Sequence, residues 1–255
     1  MTTYIANPIY NVVFRFMMEN ETAAKVFLSA IIEEEVLEIS DAAQERDFTV
    51  HPPLNNREEK DEKLFLSIDR FNFYAKISVP GAAFKTVMIE LQKAKFPQDV
   101  MRFRCYPGSQ TPLPINTGNS KTDQKHRCCF YRIFLLSRNI NIPDTPIVYV
   151  DYSFKDAATK EQVDSTNEFL RSLDYRSWII QLDQLKQHRR SNIEKLLNIF
   201  TQEKWTSEHH ILSVNEDKFP QKYHPVIQCL HIASQNKDIR KAMEQEDEFM
   251  QEILS

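Results

Sequence analysis

Glycine is nearly absent from this chain, with three residues in 255. Turns that require φ > 0 must then be few, or be made by Asn and Asp. A basic excess is also missing: Lys and Arg number 32 against 36 acidic residues, giving a formal net charge of -4 and a pI of 6.0. A dedicated nucleic-acid binder carries a basic balance or stripe, so any nucleic-acid contact has to come from a local patch. Cysteine is sparse. Cys105, Cys128, Cys129 and Cys229 form no CxxC pair and no Cys/His ligand spacing, which points to reduced thiols in a cytosolic protein rather than to zinc or disulfides. No run of 18 apolar residues exists, and the opening MTTYIANPIY has no basic stretch followed by an apolar one. Neither a membrane span nor a secretory signal is expected, and the expected location is cytoplasmic.

What is present is material for a large core: 42% hydrophobic residues, among them 17 Phe. That suits one large domain, or one domain with a helical appendage. Asn7-Pro8 reads as a helix start, with Asn7 as N-cap and Pro8 at the first helical position. Ile9, Val12, Val13, Phe16 and Met17 follow at helical spacing, and a second helix is expected over 23–32. Strands are expected over 36–40, 48–51, 63–69, 73–79 and 83–92, with the charged run 55–62 as a loop and Pro80-Gly81 as a turn. The region 36–92 thus reads as an antiparallel meander. A helix is expected over 98–106, then a long surface loop over 107–124. Strands follow over 130–136 and 147–152, with a third over 178–182. Beyond residue 182 only helices are expected, over 191–201, 225–234 and 238–254, the last amphipathic with Ile239, Met243 and Met250 near one face.

Glu90 stands out. Along its strand Val87, Ile89 and Leu91 point one way, into a core, and Met88, Glu90 and Gln92 point the other. A carboxylate on a mostly apolar strand needs a partner: a basic residue, a hydrogen-bond network or a metal ion. A partly exposed face with Lys85 and Lys93 nearby is the plain alternative. The next segment places Asp99, Arg102 and Tyr106 at one-turn spacings.

The stretch KTVMIELQKAKFPQDVMRFRCY resembles the bacterial PD-(D/E)XK nuclease family transposases, relatives of the recombination-promoting nucleases. An IExQ strand, QKA-like residues and a DxMRFRxY helix occur together. NPIYNVVFRFMMENETAAKVFLSAII resembles that family's N-terminal helical pair, and RRSNIEKLLNIF and HHILSVNEDKFPQKYHPVIQCL resemble its C-terminal part. The resemblance implies an α/β (α+β mixed) fold with a PD-(D/E)XK restriction-endonuclease-like core over 1–182, a mixed sheet flanked by helices, and a helical C-terminal extension over 183–255. It also implies Mg²⁺- or Mn²⁺-dependent hydrolysis of DNA. Glu90 would be a metal ligand, Gln92 would position the attacking water, and Arg102 and Arg104 would contact phosphate. A homo-oligomer is compatible with it.

Two positions depart from that pattern. The family's R-hydrophobic-D-F-x-A-K-I segment reads Arg70-Phe71-Asn72-Phe73-Tyr74-Ala75-Lys76-Ile77, so Asn72 stands where the second metal-binding acid belongs. Asn11 likewise replaces an Asp in NPIYDVVFK. An amide oxygen is a much poorer Mg²⁺ ligand than a carboxylate. Asp69 has the wrong parity to substitute, barring a β-bulge, and Glu45 is a further candidate acid. The loop with Lys121, Lys125, His126 and Arg127 is the best local basic patch, followed by 186–190. His209-His210 has no partner at ligand spacing and reads as a cap or surface pair. Three readings stay open: a nuclease built on Glu90, Gln92 and Asn72; a catalytically degenerate relative that binds nucleic acid or protein; and a structural domain.

Overall fold

The computed structural model describes residues 2–41, 68–80, 82–94, 129–137, 140–151, 153–163, 175–185, 191–201, 206 and 208–254. Along the chain these form β1 (Thr2–Ala6), α1 (Asn11–Glu19), α2 (Glu21–Ile32), β2 (Val36–Asp41), β3 (Ile68–Val79), β4 (Ala82–Ala94), β5 (Cys129–Leu136), β6 (Ile147–Val150), β7 (Tyr175–Gln181), α3 (Asn192–Leu197), β8 (Ile211–Asn215), α4 (His224–Gln235) and α5 (Lys237–Leu254). The fold is mixed α/β. Six strands make one sheet in the order β2-β3-β4-β5-β7-β6, and β1 and β8 make a small antiparallel ribbon. The antiparallel β2-β3-β4 meander is followed by β5 and β7, parallel to β4, with β6 antiparallel at the edge.

Alternation decides which face the helices cover. Phe73, Ala75 and Ile77 of β3, Val87, Ile89 and Leu91 of β4, Tyr131, Ile133 and Leu135 of β5, and Trp178 and Ile180 of β7 all enter one core with α1 and α2. Phe14 of α1 joins the layers, with its ring edge-on to Phe27 of α2 at 5.7 Å and to Phe71 of β3 at 5.6 Å, a favoured aromatic geometry. Met88, Gln92, Phe130 and Leu136 on the other face are buried as well.

Several elements differ from their sequence signals. Asn7 does not cap α1. Its Oδ1 accepts from Ile9 N at 3.2 Å, and the helix starts after Tyr10. An Asn side chain closes a local turn as readily as it caps a helix, and here the backbone of Asn7 is also tied to His210 O at 2.8 Å. Asn20 is the residue that caps, accepting from Ala23 N at 3.0 Å to start α2. The gap expected between residues 69 and 73 is absent, since β3 runs without a break from Ile68 to Val79; residues 63–67 lie outside the described residues. The part of the chain expected to be wholly helical contains β8, which pairs with the unpredicted β1. α4 packs on that ribbon and on α1 and α2, so both chain ends meet in one helical layer. The elements expected over 48–51, 55–62 and 98–106, and the loop over 107–124, lie outside the described residues. Among the described residues no helix is long and apolar enough to cross a membrane.

Candidate functional site

The register of the sheet sets one polar row across four strands. Asn72 of β3 lies opposite Glu90 of β4, Glu90 lies beside Arg132 of β5, and Arg132 beside Ser177 of β7. Paired residues in register share a face, so the row runs along the face away from α1 and α2. Gln92 follows Glu90 on that face, beside Phe134. Asn72 and Glu90, matched in sequence only through a pattern, are thus direct cross-strand neighbours.

The carboxylate of Glu90 is held on two sides. Gln92 Nε2 donates to Oε1, and Arg132 Nε lies 3.4 Å from Oε2. Both ends of the ion pair are largely enclosed, with the Arg132 and Glu90 side chains 23% and 13% exposed. The Arg132 guanidinium also stacks on Phe130, 4.8 Å from the ring centre, a contact that suits its flat, weakly hydrated head. Gln92 is 3% exposed, and its Oε1 has no hydrogen-bond partner among the described residues.

Lys85 and Lys93 are not neighbours of this carboxylate. They share the parity of Ile89 and Leu91 and point to the helical side. Lys85 Nζ donates to Glu34 Oε1 at 2.7 Å and to Tyr131 Oη at 2.9 Å. Lys93, 1% exposed, donates to Ile9 O and to Asn11 Oδ1, both at 2.5 Å. Asn11, the second departure from the family pattern, therefore serves the buried ammonium of Lys93 and not Glu90. Asp69 pairs with Lys93, not with Glu90, in the β3–β4 ladder. Arg102, Arg104, Glu45, Lys121, Lys125, His126, Arg127 and the run 186–190 lie outside the described residues.

Arg132 is the residue the sequence reasoning passed over. Its signal was a single charge inside the apolar run CFYRIFLL. A second cluster was also missed. His209 and His210 do have a common partner, Asp247 of α5, with each Nε2 at 2.8 Å from Oδ2. Thirty-seven residues separate His210 from Asp247, too far for a local spacing rule to connect them.

Comparison with protein-family models, with curated proteins and with solved structures finds no match to this chain.

Proposed function

We propose that the chain is a PD-(D/E)XK-type nuclease relative of the transposase kind that contacts DNA through the face bearing Glu90 and cuts it weakly or not at all. The fold half of this reading is supported by a mixed sheet flanked by helices, with the IELQ strand at its centre as β4. It is also supported by the β3–β4 register, which sets Asn72 across from Glu90, where the sequence pattern calls for paired metal-binding residues.

The single observation that carries the functional half is the company Glu90 keeps. Mg²⁺ takes hard oxygen donors, chiefly carboxylates and water. Here the described donors are one carboxylate, already hydrogen-bonded by Gln92 and ion-paired with Arg132, and one amide opposite it. A guanidinium 3.4 Å from the carboxylate supplies the compensating positive charge and repels a second cation at the same place. These residues do not fit a Mg²⁺ ion. Without a bound ion nothing in the row lowers the pKa of an attacking water. Gln92 orients a water but neither gives nor takes its proton. What the row does is hold a neutralised, preorganised polar strip on an otherwise apolar face.

The test combines two measurements on the wild-type protein. Fluorescence anisotropy in EDTA reads binding of a labelled duplex, and incubation of supercoiled plasmid with Mg²⁺ or Mn²⁺ reads cutting. The reading predicts salt-sensitive duplex binding with little or no cutting. Robust cutting that vanishes in Glu90→Ala overturns the impairment, and absence of duplex binding at 50 mM salt overturns the DNA contact.

A further inference from the structure

Three elements distant in sequence meet on the helical layer near the chain ends. The turn ahead of β8 supplies His209 and His210, α5 supplies Asp247, and the segment before α1 supplies Tyr10. Consecutive side chains usually diverge, yet both imidazole Nε2 atoms lie 2.8 Å from a single oxygen, Asp247 Oδ2. The rings sit 4.1 Å apart. Tyr10 Oη donates to the same carboxylate, 3.1 Å from Oδ1 and 3.0 Å from Oδ2. His209, His210 and Tyr10 thus converge on one carboxylate.

We propose that His209, His210 and Asp247 form a site for one divalent transition-metal ion of the Zn²⁺ class, independent of the reading of the Glu90 face. The three ligand atoms lie within 4.8 Å of one another. Around a tetrahedral ion with bonds of about 2.0–2.1 Å the ligand atoms stand roughly 3.3 Å apart, so occupation requires each ring nitrogen to withdraw from Asp247 by about half an ångström and the widest-spaced ligand atoms to close by up to about 1.5 Å. Two imidazoles and one carboxylate select Zn²⁺, Co²⁺ or Ni²⁺ over Mg²⁺ or Ca²⁺. His210 is 9% exposed and Asp247 31%, while His209 is 57% exposed. The site is therefore anchored on its inner side and open on the His209 side, where water completes the shell. Tyr10 is the positioning residue, fixing the carboxylate through its hydroxyl as outer-shell partners do. A bound ion ties α5 to the turn ahead of β8.

The experiment is a Co²⁺ titration of the full-length, EDTA-stripped protein followed by visible absorption, with Zn²⁺ in competition and stoichiometry from calorimetry. One ion per chain is expected, with ligand-field bands of a four- or five-coordinate nitrogen/oxygen site and a Tm that rises with Zn²⁺. His209→Ala, at an exposed position that leaves the fold intact, weakens binding about tenfold or more, and Asp247→Asn does the same. Tyr10→Phe weakens it less and keeps the Co²⁺ spectrum. Absence of saturable Co²⁺ or Zn²⁺ binding overturns the proposal. So does binding of unchanged affinity in both His209→Ala and Asp247→Asn, which would place the ion elsewhere, or a thiolate charge-transfer band, which would place it on cysteine.

Discussion

Replacing Glu90 by Gln and Arg132 by Leu, singly and together, isolates the energy of the pair at the centre of the candidate site. With the charges 3.4 Å apart, their gross attraction is about 5 kcal/mol at an effective dielectric constant of roughly 20. Both side chains are mostly enclosed, at 23% and 13% exposure, so desolvation offsets part of that and water screens little of the rest. The expected coupling energy is about 2 kcal/mol. Each single variant costs about 2–3 kcal/mol because it leaves an enclosed charge without its opposite charge, and the double variant costs clearly less than their sum. Equilibrium urea unfolding at pH 7, followed by circular dichroism with unchanged m values, measures all four corners of the cycle. The coupling persists from 0.1 to 1 M NaCl, since salt screens exposed pairs far more than enclosed ones. A coupling below about 0.5 kcal/mol, the range of surface pairs, would refute the view that Arg132 neutralises Glu90.

Gln181 is buried and holds the 140–146 loop through Oε1, which accepts from Ile140 N at 2.8 Å, and Nε2, which donates to Thr145 O at 2.6 Å and Ile142 O at 3.2 Å. Gln181→Leu strands these backbone groups and costs about 2–4 kcal/mol in urea unfolding; a cost under 1 kcal/mol contradicts the assignment. Glu33 closes α2 in the left-handed region, at φ 56°, where a side chain is strained. Glu33→Gly is therefore stabilising by about 0.5–1 kcal/mol, read as a rise in Tm, and a fall in Tm tells against it. The Asp247 carboxyl sits below its ordinary value of 3.8 because its three hydrogen bonds outweigh burial. A folded value below the unfolded one gives stability that is complete above about pH 4 and is lost as pH falls through the folded value. Asp247→Asn should flatten this acid limb; an unchanged pH profile would show that the three bonds contribute nothing.

The fold was legible where local periodicity is strong. The strand through Glu90 has six alternating residues whose two faces behave as the pattern requires, and a shift by one would reverse all of them. Asn72 could be set against Glu90 only through the resemblance, because the register of β3 on β4 shifts between Ile77 and Val79 and so does not follow from the turn alone. Arg132 could not, since β5 joins β4 as a parallel strand and its register depends on the crossover rather than on any neighbouring residue. The same holds at the chain ends. TTYIA and ILSVN are five-residue strands with little alternation, and each is a strand only because the other pairs with it. Asn7 carried a genuine cap signal, but an Asx turn uses the same residue, and the bonds to His209 and His210 decide between them. His209, His210 and Asp247 meet only after α5 has packed beside α1.

The central claim of the proposed function is that the described residues of the Glu90 face lack the second acid a nuclease centre needs. The most direct measurement is the Mg²⁺-dependent cleavage rate of supercoiled plasmid by Asn72→Asp relative to wild type, with Asn72→Asp/Glu90→Ala as control. Asn72→Asp is expected to cut at least about tenfold faster, the scale of one catalytic interaction of roughly 1.4 kcal/mol, and the added Glu90→Ala to remove the gain. Equal rates for wild type and Asn72→Asp, or a gain that survives Glu90→Ala, would contradict it.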